Sequence, residues 1–84
     1  MTEPAGPLPR DPLLEQETRE KIQRAFRHLP VKLQVAATLA LIEEQPYEEI
    51  ANALGTSVGA VKLRVFRAVR ILRERLNRLG IKPE

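Results

Sequence analysis

Tyr47-Glu-Glu-Ile-Ala-Asn-Ala-Leu54, Gly55-Thr-Ser57 and Val58-Gly-Ala-Val-Lys-Leu-Arg-Val-Phe-Arg-Ala68 form the stretch whose reading decides the fold. Pro46 punctuates its start. Glu48 and Glu49 then sit in the first turn of a short helix, where the helix dipole favours acids. Gly55 supplies the permissive backbone of a tight turn, and Thr56 and Ser57 offer hydroxyls to cap the next helix. A short helix, a turn of three to four residues and a longer basic helix make a helix-turn-helix. Ala51 has the small side chain that lets the two helices cross closely, and Val61, ten residues on, is the inward anchor. Ile50, Leu54 and Val58 complete the wedge with Val61.

The second helix of this unit runs from about Ser57 to Arg78, roughly 33 Å at 1.5 Å per residue, with no proline and one early glycine, Gly59. Projected at about 100° per residue, Val58, Val61, Val65, Ala68, Val69, Leu72, Leu76 and Leu79 share one arc, the expected core stripe. The other side carries Lys62, Leu63, Phe66, Arg67, Arg70, Arg73, Asn77 and Arg78. A solvated face has no use for Leu63 and Phe66 together. A DNA groove does, because apolar groups can meet a thymine methyl or a sugar edge while Arg and Lys reach phosphates or guanine edges.

Outward from this unit, two more helices precede it. Leu14, Ile22, Ala25, Phe26 and Leu29 recur at helical spacing between charges, which gives a first helix over about 13–28, stopped by Pro30. Pro30 can open the second helix. Leu33, Ala36, Ala37, Ala40 and Leu41 make that segment apolar almost all round, so it is expected to be largely buried, ending near Glu44. Residues 1–12 contain Pro4, Gly6, Pro7, Pro9 and Pro12 and read as a disordered arm or the end of a linker, with the domain over 13–79 and a tail over 80–84. No strand pattern and no internal repeat appears. The expected class is all-α, a four-helix domain with a long C-terminal recognition helix.

Composition bounds the function. Eighty-four residues allow one small domain, and with only Phe26, Tyr47 and Phe66 as aromatics the core must come from Leu, Ile, Val and Ala. The absence of cysteine excludes disulfides, thiolate metal sites and cysteine nucleophiles. The single histidine, His28, stands at a helix end. Glu43-Glu44 and Glu48-Glu49 are adjacent pairs without a histidine to complete a metal-site pattern, and Gly55 and Gly59 are too few for a phosphate-cradling loop. Neither an enzyme nor a cofactor is expected. The longest nearly apolar run, Val35 to Ile42, is far short of the ~20 residues that span a bilayer, and no signal peptide is legible, so the expected location is the cytosol. The net charge of +3 hides a gradient. Residues 1–30 hold five basic and five acidic groups, residues 31–56 one against four, and residues 57–84 eight against two. The cationic C-terminal third is the electrostatic footprint of a segment that binds an anionic partner.

The run from Leu29-Pro30 through Tyr47-Glu-Glu-Ile-Ala, Leu54-Gly55 and Ser57-Val-Gly-Ala-Val-Lys-Leu-Arg-Val-Phe-Arg-Ala68 closely resembles region four of bacterial RNA polymerase sigma factors of the extracytoplasmic-function type. The resemblance covers about residues 13–79. It implies a four-helix domain whose last helix enters the major groove of the upstream, minus thirty-five promoter element, while another face docks on the flap of the polymerase β subunit. It places Ser57, Lys62, Leu63, Phe66 and Arg67 at the groove and Arg64 and Arg70 nearer phosphates. Double-stranded promoter DNA and RNA polymerase core are the implied partners, and an anti-sigma factor is a further one that the resemblance allows. Ala60 and Leu63 depart from the family's frequent Thr and Ser, so sequence preference can differ. Nothing resembles region two, which melts promoter DNA. A fragment of a longer factor and a stand-alone helix-turn-helix regulator therefore both remain open.

Two other classes compete. A basic amphipathic helix also describes protein- or membrane-interaction modules, but here the other helices need the apolar stripe as their core. A response-regulator helix-turn-helix needs a break after its recognition helix, and none occurs between Ala60 and Leu79.

Overall fold

The computed structural model describes residues 12–80. The residues expected to form the N-terminal arm, 1–11, and the end of the tail, 81–84, lie outside them, whereas Pro12 is the first residue of a helix. Among the described residues the chain is helical throughout its regular structure, with no strand. Helix α1 spans Pro12–Arg27, α2 Val31–Ala37 with a π-helical continuation over Thr38–Ile42, α3 Tyr47–Leu54 and α4 Val58–Arg78. The four-helix, helix-turn-helix expectation holds.

Two prolines set the starts of α2 and α3 in the same way. Pro30 (φ −53°, ψ 147°) and Pro46 (φ −62°, ψ 147°) are the extended residues just before each helix, and their carbonyls accept the first helical bonds, from Gln34 at 2.8 Å and from Ile50 at 3.1 Å. Pro30 thus precedes the helix rather than opening it. Its fixed φ suits the turn into a helix and its missing N–H leaves no orphan donor there.

The end of α2 differs from expectation. Glu43 donates to the Thr38 carbonyl at 3.0 Å, five residues back, so the last turn is wider than an α-turn and the helix stops at Ile42 rather than near Glu44. Glu44 takes a left-handed conformation (φ 55°), and the Gln45 N–H closes the end on the Leu39 carbonyl at 3.0 Å.

The core divides into two contiguous clusters, both threaded by α4. One joins Ala25 of α1 and Leu29 of the turn after it to Ala37, Ala68 and Leu72, with Phe26, Leu33, Ile71 and Leu76 packed against it. The other joins Ala36 to Ile50, Ala51, Val61 and Val65, with Leu39, Ala40, Leu54, Val58 and Val69 around it. No polar or charged side chain is buried among the described residues, so the interior needs no internal ion pairing. α2 packs on α4 more extensively than α1 or α3 does, as the central support of the long helix.

Three expectations about burial are corrected. α2 is not buried all round: the small Ala36 and Ala37 pack inward, while Val31 (74% exposed) and Ile42 (60%) face out, and Val35 and Leu41 are exposed as well. A four-helix domain of this size has no neighbour to cover a second apolar face. Leu14, with Leu13, is exposed in the first turn of α1, because the core contacts of that helix are made by its last turns. Leu79, expected in the stripe, is 42% exposed just past the end of α4, where it borders an open groove with Arg24, Ala25 and His28.

Candidate nucleic-acid interface

α3 and α4 are locked by their termini. Gly55 follows α3 with φ 66°, a conformation that costs a side-chain-bearing residue roughly 1–2 kcal/mol. The Thr56 N–H returns to the Ala51 carbonyl at 2.9 Å, which closes a Schellman-type end. Ser57 then caps α4: its Oγ accepts from the Ala60 N–H at 3.1 Å, and its own carbonyl accepts from Val61 at 3.0 Å. The two helices are therefore joined by a turn with satisfied ends. Ile50 and Val61, the largest side chains with no exposure, meet in one cluster beside Ala51. The small residue at the crossing and the inward anchor stand where the spacing put them.

With the stripe of α4 facing inward, the orientation of its opposite face is fixed as well. Lys62, Leu63, Phe66, Arg67, Arg70, Arg73, Asn77 and Arg78 are all exposed. Leu63 keeps 47% of its surface and Phe66 59%. Leu63, Phe66 and Arg70 succeed one another at three and four residues, and Leu63, Arg67 and Arg70 do likewise, so cations and apolar groups form one continuous surface. Its width is that of a helix, the element that the major groove admits.

Two of the expected site residues are placed differently from the rest. Ser57 is exposed, but its oxygen is engaged as the cap, which leaves its hydroxyl hydrogen and one lone pair to offer a ligand. Arg64 is half-buried on the flank of α4, where it lines a shallow groove of about 390 Å³ with Val31, Lys32, Val35, Leu54, Gly55 and Thr56. The structure thus brings together Lys62, Leu63, Phe66, Arg67 and Arg70, and sets Arg64 toward α2. The half-buried Ile71 on the same flank extends the packed side of α4 beyond the sequence-based stripe. Sequence reasoning also misses that Val31 and Val35, four residues apart, are exposed beside one groove, and that Ile42 is exposed at the end of the π-helical turn.

Residues 19–72 match the family model described as sigma-70, region 4. The chain belongs to this family. The matched span begins within α1, takes in α2, α3 and the turn, and ends at Leu72, the last buried residue of α4. The chain is 38% identical over 60 residues to the ECF RNA polymerase sigma-E factors of Escherichia coli (strain K12) and Salmonella typhi, an overlap of 71% of this chain and 31% of each of theirs. It is 31% identical over 71 residues to the ECF RNA polymerase sigma-E factor of Haemophilus influenzae, covering 84% of this chain and 38% of that protein. The chain spans about a third of the length of the curated relatives it matches. It is a region 4 of the extracytoplasmic-function class, with a helix-turn-helix as its central motif. Among the described residues no helix is long and apolar enough to cross a membrane.

Proposed function

We propose that this region 4 recognises the upstream, minus thirty-five element of a promoter through the outward face of α4 and presents it to RNA polymerase. The observation that carries the reading is the composition of that face: Lys62, Arg67, Arg70 and Arg73 are exposed around Leu63 and Phe66 on a helix whose opposite side is buried. Guanidinium and ammonium groups neutralise phosphates and apolar tips reach base edges, and one helix face in the groove supplies both. Lys62, Leu63, Phe66 and Arg67, in the N-terminal half of α4, are assigned to base edges. Arg70 is assigned to phosphate, farther along a helix that must leave the groove. Ser57, at the cap, meets the backbone at the groove's lip. Arg64 takes the phosphate nearest the 55–56 turn, since its flank borders that turn.

Polymerase is assigned to the exposed apolar side of α2. Val31 and Val35 line the groove that Arg64 borders and Phe66 does not, so the two surfaces meet at Arg64. Exposed apolar patches of this kind mark interaction sites. The reading places the protein in the cytoplasm with its DNA partner, requires no cofactor and involves no catalysis.

Fluorescence anisotropy of a labelled duplex across a salt series tests the DNA reading. With phosphate contacts from Arg64 and Arg70, log K is expected to fall linearly with log salt at about −0.9 per phosphate neutralised. Substituting Arg70→Ala should reduce that slope by roughly one. An affinity independent of salt, or none at low ionic strength, contradicts the reading.

A further inference from the structure

We propose that Leu63 and Phe66 together form a methyl-reading pair, so that the preferred duplex carries neighbouring pyrimidine C5-methyl groups in its major groove. This inference rests on the DNA reading given above. Both side chains are large, apolar and exposed, at 47% and 59%, and neither is needed to cover either core cluster. They stand one helical turn apart on the outward face of α4, which at three-residue spacing puts their Cβ atoms about 5–6 Å from one another. Successive bases rise about 3.4 Å along a strand, so the pair spans one to two base steps.

The chemistry of the groove selects the occupant. Six of the seven edge features shown by the standard bases in the major groove are hydrogen-bonding groups, and thymine adds the one apolar group, its C5-methyl. An apolar side chain pressed on a guanine, adenine or cytosine edge strips water from a donor or acceptor and returns no bond. Leu63 and Phe66 thus favour a methyl and also disfavour its absence. The surrounding charge argues for DNA over an apolar protein partner. Lys62, Arg67, Arg70 and Arg73 flank the pair on the exposed face, with Glu74 the one acid on that side of the helix. An apolar protein partner would have to bury those cations, whereas a duplex pairs them with phosphates.

Replacing thymine by deoxyuridine removes the methyl and nothing else. Duplexes enriched by the 84-residue chain from a random pool at low ionic strength are resynthesised with single thymine-to-deoxyuridine changes and titrated against wild type, Leu63→Ala and Phe66→Ala. Wild type is expected to lose about fourfold in affinity at each of two neighbouring positions, the transfer value of one buried methyl. Leu63→Ala should abolish the loss at one position and Phe66→Ala at the other, as coupled partners do in a double-mutant cycle. Deoxyuridine changes without effect, or losses that persist in both variants, overturn the methyl-reading pair and leave the DNA reading standing. Failure to enrich or bind any duplex overturns both.

Discussion

The two long faces of α4 are both rich in apolar residues, yet they obey different rules. The inward face places Val61, Val65, Ala68 and Leu72 at helical spacing, and each is buried against α1, α2 or α3. The outward face places Leu63 and Phe66 among Lys62, Arg67 and Arg70, and nothing among the described residues covers them. Periodicity explains the first face through packing. The second breaks the periodic pattern, and residues that break it without a packing reason point to function. The same contrast recurs in α2, whose alanine side is core and whose Val31, Val35 and Ile42 side is open.

This contrast can be broken by substitution, and the sizes differ by face. Leu72→Ala, on the inward face, should cost about 2–5 kcal/mol through lost transfer energy and a residual cavity. In a domain this small that is a large part of the whole stability. Thermal unfolding followed by circular dichroism should show a drop of many degrees, and an unchanged midpoint would mean that Leu72 does not seal the α1–α4 cluster. Ala51→Leu should cost about 1–3 kcal/mol by overpacking the crossing where Ile50 and Val61 meet. A neutral outcome in the same assay would mean that α3 and α4 cross more loosely than described.

The smallest expected stability change belongs to the outward face. Phe66→Ala should shift unfolding by no more than about 0.5 kcal/mol, the usual range for surface positions, while weakening duplex binding. A Phe66→Ala variant that unfolds as easily as Leu72→Ala would show that Phe66 is a core residue and erase the distinction between the faces.

How much of this is legible in the sequence depends on which signals are local. The helix-turn-helix is, because its devices are short-range: acids in the first turn of α3, Gly55 with a positive φ, and Ser57 capping Ala60. The outward face is legible too, since α4 is long enough for its angular pattern to be unambiguous. The π-helical end of α2 is not. It lies in the run Thr38-Leu-Ala-Leu-Ile42, where nearly every residue is apolar and no polar position marks the change of hydrogen-bond register. The open side of α2 is hidden for the same reason: an all-apolar segment reads as buried until the number of neighbouring elements is known. Arg64 shows a further limit. The family resemblance places it near a phosphate, but its angle on α4 turns it toward α2 and the 55–56 turn.

The central claim, that the outward face of α4 meets duplex DNA, is tested most directly by mapping the contact in solution. Backbone amide shifts of the labelled chain are recorded while an enriched duplex is added. The account predicts perturbations concentrated at Ser57, Lys62, Leu63, Arg64, Phe66, Arg67 and Arg70, with the exposed Ile42 at the far end of α2 unmoved. Perturbations centred on α1 or on the exposed side of α2, with Lys62 to Arg70 unchanged, would contradict it.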